Sequence, residues 1–136
     1  MKFFREASRN NSTKAEQGRI DIHRRSDKKL VALKRPDSYE AEQFRILKTK
    51  LLFPSSGEPP RTIMVTSAFR GAGKSFVSAN LSVSLAQSID QHVLLMDCDM
   101  RKPSIHKLFG CDNDSGLSEY LREDAPLANL LLQTKV

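Results

Sequence analysis

A chain of 136 residues has room for one compact domain, and no stretch of it approaches the roughly 20 consecutive apolar residues that a membrane span needs. Its net charge of +6 is concentrated at the start: residues 1–35 hold eleven Lys or Arg against four Asp or Glu, and the rest holds eleven against twelve. A near-neutral remainder argues against the broad basic face of a nucleic-acid binder, so no nucleic-acid partner is expected.

Residues 1–35 are polar and poor in apolar periodicity, which predicts a disordered basic leader. Its plain reading is a solvated segment; the sharper one is a weak electrostatic tether to anionic lipid or to an acidic partner. The opening Met-Lys-Phe-Phe-Arg-Glu has no apolar signal-peptide core, and Cys98 and Cys111 show neither metal-ligand spacing nor a redox pair. These features fit a reducing cytoplasm. His23, His92 and His106 also lack ligand spacing and are read as structural.

Ser38 can cap a helix, Glu40 and Glu42 suit its positive end, and Phe44, Leu47, Leu51 and Leu52 recur at helical spacing. Residues 38–52 are therefore predicted as an amphipathic helix, stopped by the Pro- and Gly-containing loop 54–60. The run 62–67 is short, apolar and β-branched, and predicts a buried parallel strand. A helix is predicted over 73–88, a second buried strand over 92–97, and short helices over 103–109 and 116–123. Strand, Gly-rich turn, helix and strand in that order predict an α/β fold, a P-loop NTPase-type doubly wound parallel sheet. Two strands do not complete such a sheet. Residues 36–136 are accordingly expected to be the N-terminal part of a larger kinase or ATPase domain.

The turn before the 73–88 helix carries the chemistry. Ala68-Phe69-Arg70-Gly71-Ala72-Gly73-Lys74-Ser75 matches the phosphate-binding loop pattern except that Ala68 replaces its first glycine. Gly71 and Gly73 let successive backbone N–H groups turn towards phosphate oxygens. Lys74 supplies a positive charge for the β and γ phosphates, Ser75 offers a hydroxyl to magnesium, and the helix adds the positive end of its dipole. Asp97 and Asp99 follow the second strand at the edge where such sheets place ligands. There they can reach a magnesium ion or its waters, and one can accept a proton from an attacking hydroxyl. The competing reading is that both cap the next helix.

Beyond the loop, the runs Ala79-Asn80-Leu81, Leu94 through Pro103, His106 through Gly110 and Gly116 through Leu121 resemble the bacterial tyrosine kinases of exopolysaccharide and capsule synthesis. The helix segment Glu42-Gln43-Phe44-Arg45-Ile46-Leu47-Lys48 is similar to the self-association motif of that family, with Lys48 where the family has Arg. The resemblance implies an ATP- and Mg2+-dependent autokinase that transfers the γ-phosphate to tyrosine. It implies a nucleotide site of Arg70, Gly71, Ala72, Gly73, Lys74, Ser75 and Phe76, catalytic roles for Lys74, Asp97 and Asp99, and metal ligation by Ser75, Asp97 and Asp99. It further implies homo-oligomers formed through Glu42, Arg45 and Lys48, a membrane activator of polysaccharide export, and a cytoplasmic or peripheral place at the inner face of the plasma membrane. The family's later aspartate and tyrosine cluster would follow Val136, so the 136 residues alone are expected to show little kinase activity. Two alternatives remain open: a partitioning or division-site ATPase, against which Phe69 stands where those carry a second lysine, and a non-catalytic nucleotide-binding fragment.

Overall fold

The computed structural model describes residues 3–5, 22–89 and 91–134, the first three by backbone alone. In chain order the elements are β1 (Phe3–Arg5), α1 (Ile22–Arg25), α2 (Val31–Lys34), α3 (Tyr39–Leu52) and α4 (Lys74–Ala86). They continue with β2 (Leu95–Met96), α5 (Ile105–Phe109), α6 (Leu117–Leu121), α7 (Leu127–Leu130) and β3 (Leu131–Gln133).

Helices dominate, and the predicted doubly wound parallel sheet is not formed among the described residues. The three strands are two or three residues long. They align in the order β2-β1-β3, with β1 antiparallel to β2 (Phe3 opposite Met96) and parallel to β3 (Phe3 opposite Leu131). Residues 62–67, predicted as a buried strand, form no regular secondary structure, and Met64 is 84% exposed. The reason is physical: a β-branched run gains as a central strand only when neighbours complete its ladder and cover both faces.

The predicted helices form, with trimmed ends. Ser38 caps α3, its side chain accepting from the Ala41 N–H at 3.2 Å, and Phe44 and Ala41 point inward. The Glu40 carboxyl in the first turn lies below the usual carboxylate range, chiefly because it accepts from its own backbone N–H, with Arg35 also contributing. Helix α4 follows Gly73, whose φ of 89° starts it from a left-handed turn.

Helix α4 is the centre of the molecule. One face packs Ala79 and Val83 into a core with Ile22, Leu30, Ala32, Leu33, Leu95, Ile105 and Phe109. Another brings Leu81 against Val31 and Phe44. Ala79, fully buried, lets the neighbouring backbone approach closely; burying Ile22 and Val83 contributes about 1.5–3 kcal/mol each.

The first of those core residues overturn an expectation. Within the predicted leader, Ile22 and Leu30 are fully buried, as nearly are Val31, Ala32 and Leu33. Residues 22–35 thus belong to the fold, and residues 6–21 of the leader lie outside the described residues. The buried side chain of Asn80 fastens this segment to α4. Its Oδ1 accepts from Ala32 N at 2.9 Å, and its Nδ2 donates to the Lys29 carbonyl at 3.0 Å and the Phe76 carbonyl at 2.9 Å. Among the described residues, no helix is long and apolar enough to cross a membrane.

Candidate functional site

The phosphate-loop sequence forms an exposed turn leading into α4. Gly71 and Gly73 both take positive φ, 78° and 89°, a region costly for any residue with a Cβ. Their N–H groups make no hydrogen bond among the described residues, so they remain available as donors. The Lys74 ammonium folds back over the loop entrance, donating to Ser67 Oγ at 3.0 Å and reaching the Phe69 carbonyl at 3.5 Å. Ser67 in turn donates to the Phe69 carbonyl at 2.8 Å.

The second half of the predicted site approaches through a residue the sequence reading did not select. Ser75 Oγ lies 2.7 Å from Ser104 Oγ, and the Ser104 N–H donates to Asp97 Oδ2 at 2.9 Å. Asp97 is buried; its Oδ2 also accepts from Ile105 N at 3.0 Å, and its Oδ1 from Asp99 N at 3.1 Å. Asp97 therefore caps α5, as the competing reading held, and at the same time lies one residue from the Ser75 hydroxyl. The signal for Ser104 was present in the sequence, as a small hydroxyl residue just after Pro103 at a helix start.

The remaining predicted residues are dispersed. Asp99 is exposed, accepts from Lys102 N at 3.0 Å, and lines a cavity of about 200 Å³ together with Asp114 and Glu119. Arg70 and Ala72 are exposed on the turn. Phe76 spends its ring on packing, edge-on to Phe44 at 5.7 Å between centroids. On α3, Arg45 Nε donates to Glu42 Oε2 at 2.6 Å within the same exposed helix face. No group of three or more His, Cys, Asp or Glu able to hold a metal occurs among the described residues. Magnesium ligation would thus depend on Ser75, one carboxylate and the nucleotide itself.

A family model described as ParA, NUBPL iron-transfer P-loop NTPase, matches residues 59–133, the stretch that holds the turn, α4 and Asp97. Tyrosine-protein kinase YwqD of Bacillus subtilis (strain 168) is 39% identical over 97 residues, covering 71% of this chain and 40% of that protein. The chain belongs to the P-loop NTPases, and among them to the bacterial tyrosine-kinase family. Tyrosine-protein kinase etk of Escherichia coli (strain K12) is 39% identical over 99 residues, which cover 73% of the chain and 14% of the relative. The putative tyrosine-protein kinase CapB of Staphylococcus aureus is 32% identical over 102 residues, 75% of the chain and 44% of the relative. The chain thus spans less than half the length of these tyrosine-kinase relatives. No solved structure matches it.

Proposed function

We propose that the chain binds Mg·ATP at residues 70–75 and, as part of a bacterial tyrosine kinase, serves transfer of the γ-phosphate to a tyrosine hydroxyl. The observation that carries this reading is the turn itself: two left-handed glycines with unengaged N–H groups, followed directly by Lys74 and Ser75 at the start of a buried helix. These donors fit a polyphosphate. The Lys74 ammonium, held by Ser67 and a carbonyl, can exchange those neutral partners for phosphate oxygens, a charge-assisted gain. Bound magnesium would neutralise charge developing on the phosphates. Ser75, Asp97 and Asp99 are the residues that would hold it, and the bonds that join Ser75 to Asp97 through Ser104 support this.

Homo-oligomers through Glu42, Arg45 and Lys48, a membrane activator of polysaccharide export, and a place at the inner face of the plasma membrane belong to the same proposal. The exposed face of α3 and the relatives' kinase identity support it. A second reading, nucleotide binding without transfer, is favoured by one observation: three backbone N–H groups occupy the Asp97 carboxylate.

Titration calorimetry with ATP and magnesium tests the binding step. Lys74→Met should weaken affinity by about 1.5–3 kcal/mol, the loss of a charge-assisted contact. Equal affinity in both proteins would overturn the assignment of the loop. A phosphotyrosine blot on this chain and on a version extended through the later aspartate and tyrosine cluster, each with an Asp97→Asn control, separates the two readings: Asp97-dependent signal in the extended protein supports transfer, and none in an extended protein that binds Mg·ATP supports the second.

A further inference from the structure

A basin of about 660 Å³ lies between residues 26–35, Glu40 of α3 and Phe76 of α4. Val31 and Phe76 contribute its apolar surface. Lys28, Lys29, Lys34 and Arg35 surround it, and among the described residues Glu40 is the one acid along its lining. Two of the four cations are already engaged. The Lys34 ammonium donates to the His23 carbonyl, and Arg35 pairs with Glu40 at 3.8 Å. Lys28 and Lys29 are exposed and have no carboxylate partner among the described residues.

The wall is fixed in advance. Asn80 bonds the backbone of Lys29 and Ala32 to α4, and Asp27 Oδ1 accepts from Lys29 N at 2.8 Å. The backbone that carries Lys29 is therefore held beside the hollow, and both ammonium groups stand without a carboxylate partner among the described residues.

We propose that this basin docks an acidic peptide segment of a partner protein, with one apolar side chain against the half-buried Phe76 and its carboxylates at Lys28 and Lys29. Charge complementarity selects the sign of the occupant. Its shape selects the class. Small ligands are buried over most of their surface in enclosed clefts, whereas this basin is largely open to solvent and suits a segment that leaves part of its surface exposed.

Fluorescence anisotropy of a labelled Asp-Glu-Leu-Asp-Glu pentapeptide with the intact chain at low ionic strength tests the proposal. Saturable binding is expected, weakened at least about tenfold by the double substitution Lys28→Glu, Lys29→Glu. Both positions are exposed, so the variant should keep its fold, which its circular dichroism verifies. Replacing the central Leu of the peptide by Ser should weaken binding as well. Equal binding by the charge-reversed variant, or indifference to the Leu-to-Ser change, would overturn the proposal. So would pyrophosphate displacing the peptide at equal concentration, which would make the basin a small-anion site. Capture of the wild type by phosphatidylserine vesicles without any binding of the peptide would also overturn it, in favour of a membrane surface.

Discussion

Replacing Asn80 by alanine should cost this protein more than any other single polar substitution in α4. The side chain is fully buried and makes three hydrogen bonds, two of them to the backbone of residues 29–32. Alanine leaves the buried Ala32 N–H and the part-buried Lys29 carbonyl without these partners. Each orphaned group costs about 1–3 kcal/mol. Alanine's better helix propensity returns only about 0.5 kcal/mol. The net expectation is a loss of about 3 kcal/mol, which for a domain of this size lowers Tm by roughly 10–15 °C. Urea unfolding followed by helical circular dichroism, extrapolated linearly to water, measures it. Ser82→Ala is the control: it removes one side-chain bond to the Ala79 carbonyl of the same helix and should change stability by less than about 0.5 kcal/mol. Asn80→Asp should be at least as damaging as alanine, because it turns an oxygen towards two carbonyls. A loss below about 0.5 kcal/mol in Asn80→Ala would refute the view that this residue fastens the basic segment to the phosphate-loop helix.

Two further outcomes follow from local geometry. Gly110 ends α5 with φ of 65°, and a Cβ there would collide with the carbonyl of Arg25; Gly110→Ala should therefore destabilise by about 2–4 kcal/mol, read in the same unfolding assay. The Glu119 carboxyl lies below the usual carboxylate range, first because it accepts from the Gly116 N–H at the start of α6 and then through its own N–H, Ser118 and Arg122. A depressed folded pKa stabilises the fold at pH values above the unfolded pKa, and that contribution disappears as pH falls through the folded one. Thermal melts taken downward from neutral pH should show an acid-side loss that Glu119→Gln reduces.

How much of this was legible in the sequence depended on whether the deciding contacts are local. Helix α3 was readable because its cap, its acidic first turn and the Pro54 stop all lie within a few residues of it. The phosphate loop was readable because two glycines and the lysine that follows encode one turn. Residues 62–67 were misread because a strand's partners come from elsewhere in the chain, and β-branched composition reports only suitability for a ladder. The error over residues 22–35 arose differently. Averaging charge over the segment hid Leu30-Val31-Ala32-Leu33, four adjacent residues that α4 buries together, and hid that Asn80 would supply their backbone with hydrogen bonds.

Asp97 shows why the two readings of one carboxylate need not compete. An ionised carboxyl offers about four acceptor positions over its two oxygens. Three are used here: Ser104 and Ile105 N–H groups on Oδ2, and the Asp99 N–H on Oδ1. The cap thus leaves about one position open, on Oδ1. It also fixes the orientation of the group, which a freely rotating side chain at a loop edge would lack. The bond from Ser104 to Ser75 extends the same arrangement to the phosphate-loop hydroxyl. Metal-ligand geometry generally depends on such supporting hydrogen bonds. The capping bonds, which favour binding without transfer by occupying three of these positions, still leave one oriented acceptor on Oδ1, and a kinase would have to use that one.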